Sequence, residues 1–159
     1  MRDSVSFVNA AYFHIVLVHV PVVLTPLSAV LLAVAHLRKC PRTTRTALAI
    51  TIIASTTSIL AFLLGEPAEE VVEHLAGISK NAIEAHEEIA EYALWCSITT
   101  GVLGALSWLA LARESARQRA ILTLTFCLSA LSSLVLAYTA HQGGKIHHPE
   151  AFLAAEHRD

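Results

Sequence analysis

FHIVLVHVPVVL, residues 13–24, sits inside an apolar run from Ala11 to Ala35 and carries two histidines, His14 and His19. About 20 mostly apolar residues cross a bilayer as a helix, so the run reads as a membrane span. A histidine within such a span is costly unless something binds it. Pro21 and Pro26 lie in the same run. A proline frees a carbonyl one turn earlier and bends the helix, which predicts a kink just after His19.

Outward from this stretch the chain keeps the same character. Of its 159 residues, 55% are hydrophobic and 15% charged, a balance too apolar for a soluble domain of this size. Three further spans follow, at Ala47 to Leu64, Tyr92 to Ala112 and Ala120 to Ala140. The fold class expected is an all-α membrane protein, a single-domain four-transmembrane-helix bundle. The first run is longer than the ~7–15 apolar residues of a signal peptide and is read as a retained helix. Cys40, Cys96 and Cys127 form no CxxC, and no internal repeat, low-complexity tract or glycine-rich phosphate loop is evident.

Charge sets an orientation. Arg38, Lys39, Arg42 and Arg45 follow the first span, and Arg113, Arg117 and Arg119 follow the third. Positive loops stay in the cytoplasm, which puts both termini and the second connection on the outer face. That connection holds Glu66, Glu69, Glu70, Glu73, Glu84, Glu87, Glu88 and Glu91 against Lys80 alone. The orientation also gathers His14, His19, His74, His86, His141, His147, His148 and His157 at or beyond the outer helix ends, leaving His36 at the other.

Counting ~20 residues, or ~30 Å, outward from the cytoplasmic ends puts the outer hydrocarbon edge near Leu17, Ala93 and Ala140. His19 and His141 then share one depth, and His14 and His86 form a shallower layer. GEPAEEVVEHLAG, residues 65–77, predicts a short amphipathic helix in the outer loop, with proline at its start and glycine at its end. His74 falls on its polar side. After a plausible N-cap at Ser79, another helix runs into the third span with Glu84, Glu87, Glu88 and Glu91 on one stripe. Ala82, Ile83, His86, Ile89, Ala90 and Ala93 form the opposite stripe, so His86 is the one polar member of the inward face. His147, His148 and His157 read as loop and tail residues.

Two neutral imidazoles from different helices at matched depth, with small residues around them, suit a b-type haem. His19 with His141, and His14 with His86, are the candidate axial pairs for one or two haems. The absence of CxxCH excludes covalent attachment. Bis-histidine ligation leaves no open position and suits electron transfer, and an acidic outer face suits a basic periplasmic redox partner. The alternatives are a copper, zinc or non-haem iron site drawing on His74 and Glu70 as well, or a structural subunit of a larger membrane complex. Hydrolase chemistry has no GxSxG to support it, and HEEIA fails the HExxH pattern. Transport lacks ionisable residues along a path across the bundle.

HIVLVHVPVVL in the first span, GEPAEEVVEHLAG and IEAHEEIAEYAL leading into the third, and AHQGGKIHHPE after the fourth together resemble a bacterial family of four-helix membrane proteins, domain of unknown function 2231. The resemblance implies four spans, a pattern with His19, His86, His141 and Gly143-Gly144, and a place in the bacterial cytoplasmic membrane. It implies no reaction. Where similar sequences often show a His-Pro pair, here Ile15 follows His14. The expectation is thus a membrane-bound cytochrome b, an electron carrier rather than a stand-alone enzyme, oligomeric or not, with no nucleic-acid partner.

Overall fold

The computed structural model describes residues 3–75, 78–111 and 116–147. They form α1 (Asp3–Arg38), α2 (Pro41–Leu63), α3 (Gly65–Val72), α4 (Lys80–Ala110) and α5 (Ala116–His147). Regular structure among the described residues is all helical, and α1, α2, α4 and α5 are each long and apolar enough to cross a membrane. α1 runs unbroken through Pro21 and Pro26. α3 ends at Val72, and the peptide N–H groups of Glu73 and Leu75 close turns onto the carbonyls of Glu69 and Val72. Gly77, His148, His157 and Arg113 lie outside the described residues.

Two residues reverse the chain between α1 and α2. Lys39 takes the left-handed conformation at φ 49°, which is uncommon for a residue with a Cβ, and Pro41 then opens α2 with its φ already helical. α1 and α4 each lie against both α2 and α5, so α1 and α4 stand on one diagonal of the bundle, and α3 leans chiefly on α1.

Seven-residue seams hold the long helices together. On α4 the seam is His86, Ala93, Thr100, Ser107. Thr100 pairs with Ser132 at 2.9 Å and Ser107 with Thr125 at 2.9 Å, so the steps match on both helices. A repeat of seven keeps one stripe facing its neighbour at a shallow left-handed crossing. His14, Pro21, Ser28 and Ala35 make the same stripe on α1, and the buried Ala47, Ala54 and Ala61 make it on α2.

Small residues let the backbones approach closely. A Cβ added at Gly101 would stand 2.7 Å from that of Ser55, and one at Gly104 would stand 3.2 Å from Thr51 Cγ2. Ser58 donates to Ser97 at 3.0 Å beside these contacts. Leu32, Ala47, Leu48 and Leu122 fill the end where α1 turns into α2. Outward-facing Val30, Leu37, Leu109 and Leu134 stay 60–81% exposed, an apolar girdle suited to lipid.

Candidate functional site

The far end of the bundle carries the histidines. Its depth scale follows from the hydroxyl pairs, at a rise of ~1.5 Å per residue. Ser97 and its partner Ser58 lie one turn outward of Thr100 and Ser132. Ala61 is a further three residues out on α2, placing it roughly 9 Å beyond the Thr100–Ser132 pair. Thr139, seven residues past Ser132 on α5, lies roughly 10 Å beyond it. Ala61 and Thr139 therefore share one level, and because α2 and α5 both run toward this end, both carbonyls point outward.

Each of these carbonyls accepts a histidine. His14 Nδ1 lies 2.8 Å from the Ala61 oxygen, and His86 Nδ1 lies 3.1 Å from the Thr139 oxygen. A carbonyl can only accept, so Nδ1 carries the proton in both rings. In the neutral imidazole Nε2 is then left as the lone-pair atom. The same arrangement orients imidazoles that ligate metals. The Ala61 carbonyl also receives the Leu64 N–H at 3.2 Å as α2 ends, and His14 reaches an oxygen that the continuing helix no longer covers fully.

His14 and His86 are both half-buried, whereas His19 and His141 are exposed. His19 Nδ1 bonds the carbonyl of Ile15 in its own helix at 2.6 Å. The His141 ring stacks on Tyr138 with centroids 6.4 Å apart, and Tyr138 accepts from the buried Gln142 amide at 2.7 Å. His19 is five residues further along α1 than His14, roughly 7 Å deeper, while His141 lies two residues outward of Thr139. The structure thus sets these two at different depths and gives His14 and His86 the common one. Gly143, beneath His86, and Gly65, beside His14, complete the surroundings.

His74 is exposed and pairs with its neighbour Glu73 at 3.5 Å, and Glu70 is exposed on α3. Among the described residues no three His, Cys, Asp or Glu side chains gather where they could hold a metal ion together. Glu69 on α3 reaches Glu87 on α4. Their hydrogen bond, aided by partial burial and by the charge of Glu87, pushes the Glu69 carboxyl up to about 6 against the pull of Lys80. The residues that the spacing did not single out are Ala61 and Thr139, which act through backbone oxygens. The seven-residue step from His86 through Ala93, Thr100 and Ser107 is the signal that points toward them.

A family model described as a predicted membrane protein (DUF2231) matches residues 11–150. No curated protein and no solved structure matches the chain.

Proposed function

The chain belongs to the family of predicted membrane proteins DUF2231, and for this multi-pass member we propose b-type haem binding at the histidine end, for electron transfer. His14 and His86 would hold the iron. The reading is carried by one observation: two imidazoles from diagonal helices are held at one level, each with Nδ1–H on a backbone carbonyl and Nε2 as the lone-pair atom.

The donor set also favours haem over a bare ion. Zinc, copper or non-haem iron draws three or four ligands from protein, and among the described residues no such group forms. A macrocycle brings four nitrogens of its own and asks the protein for two. When bound, it would supply a one-electron couple. The chain's part is to orient both rings through Ala61 and Thr139 and surround them with a low-dielectric bundle. With the arginine-rich turns in the cytoplasm, the site faces the periplasm, and the glutamates of α3 and α4 meet a basic redox partner.

A visible spectrum of the detergent-purified protein, oxidised and then reduced, with haem quantified as the pyridine haemochrome, tests this reading. Sharp reduced α and β bands are expected, with His14→Ala and His86→Ala each losing most of the haem. One haem per chain, kept by His19→Ala and His141→Ala, assigns a single layer. Halving by either of the latter adds a second. A colourless protein from haem-replete cells overturns the proposal and favours a structural subunit.

A further inference from the structure

The two histidine units repeat one another. His14, Pro21, Ser28 and Ala35 on α1 recur as His86, Ala93, Thr100 and Ser107 on α4, and Ala47, Ala54, Ala61 and Gly65 recur as Thr125, Ser132, Thr139 and Gly143. Asn9-Ala10 precedes His14 at the same distance at which Asn81-Ala82 precedes His86. The repeat escapes a reading by residue identity because most equivalent positions differ. It emerges from three matched elements: a histidine on the first helix of each hairpin, an accepting carbonyl on the second, and a glycine four residues beyond that carbonyl.

We propose that Gly143 is a positioning residue, the tight seat of the His86 ring, whereas its counterpart Gly65 leaves room beside His14 for a side chain. The carbonyl of a helical residue points toward the residue four further on, which puts Gly143 beside the Thr139 oxygen and the ring that bonds it. The two glycines differ in slack. A Cβ at Gly143 would lie 3.2 Å from His86 Cε1 and 3.4 Å from Nδ1, while one at Gly65 would lie 3.8 Å from His14 Cε1, an ordinary contact. A shift of the His86 ring by a few tenths of an ångström would act on its 3.1 Å bond to Thr139. Alanine forms helix better than glycine, so loss of the lock in Gly143→Ala is not loss of α5.

The inference rests on His14 and His86 being the haem ligands, and its test separates the two ideas. The full-length protein is purified in detergent with 15N-labelled histidine, as wild type, G65A, G143A and G143V. Nitrogen shifts report the tautomer of His86, assigned by its loss in H86Q, and haem per chain is measured alongside. G65A should match wild type in both readouts. G143A should lose the single Nδ1–H state of His86 and at least half of the haem, and G143V should weaken haem binding by about tenfold or more, as loss of a ligand's orienting partner does. An unchanged His86 tautomer and unchanged haem in G143A, or an equal loss in G65A, overturns the proposal. Should wild type hold no haem, the functional reading fails and the tautomer series still decides the seat. Should G143V not fold, G143A, which displaces the ring by only a few tenths of an ångström, carries the test.

Discussion

Ser129 lies fully buried on α5, and its Oγ has no hydrogen-bond partner among the described residues. Thr100, Ser107 and Ser58, in similar surroundings, are each paired across the bundle. An orphan buried hydroxyl costs about 1–3 kcal/mol in lost solvation, and removing it leaves only a small void. Ser129→Ala should therefore raise stability in detergent by about 1 kcal/mol, read as a higher midpoint of thermal unfolding. A lower midpoint would show that the hydroxyl is in use. The histidines teach a related lesson at this scale. His19 stood out because it lies within an apolar run, yet its ring turns to Ile15 on its own helix. His14 and His86 bond across to another helix, and which carbonyl a ring meets depends on a neighbour distant in sequence.

At the scale of elements, the link between α3 and α4 is titratable. Glu69 shares a hydrogen bond with Glu87, which raises its carboxyl from an ordinary 4.5 to about 6. Between those values the folded chain holds a proton that the unfolded chain has released. Stability then falls as pH rises through the window, and the loss is complete above it. The expected outcome is a lower unfolding midpoint at pH 7.5 than at pH 5, with the difference reduced in Glu69→Gln, which keeps a hydrogen-bond donor without the charge. An identical pH profile in wild type and variant would remove this pair from the account. Element type was legible here from apolar length alone, because about 20 residues must cross the hydrocarbon. The start of α4 was legible as well: Ser79 was expected to stand before the helix that runs into the third span, and α4 begins at Lys80 with Ser79 at the N-cap position.

For the whole molecule, orientation is the property to test. Arg38, Lys39, Arg42 and Arg45 ring one end, and Arg117 and Arg119 start α5 at the same end, opposite the paired histidines. Cys40 sits in that turn, where hydrogen bonds from the side chain and backbone of Thr43 hold its thiol below its ordinary value. A membrane-impermeant maleimide should label Cys40 in inverted vesicles and spare it in intact cells made permeable only at the outer membrane. Labelling in the intact cells would reverse the orientation and place the histidine end in the cytoplasm.

Four spans and the crowding of histidines toward one end were determined by the sequence itself, because the first follows from apolar length and the second from the basic loops that orient the helices. The sequence offered two level pairs, His19 with His141 and His14 with His86, and only the tertiary structure told them apart. Depth counted along separate helices assumes a common starting plane, whereas the true register is set by Ser58 on Ser97, Thr100 on Ser132 and Ser107 on Thr125. Those contacts bring the carbonyls of Ala61 and Thr139 to one height, and with them the rings of His14 and His86. A backbone oxygen has no residue type to betray it, so the partners that orient the two imidazoles become visible only once the helices are packed.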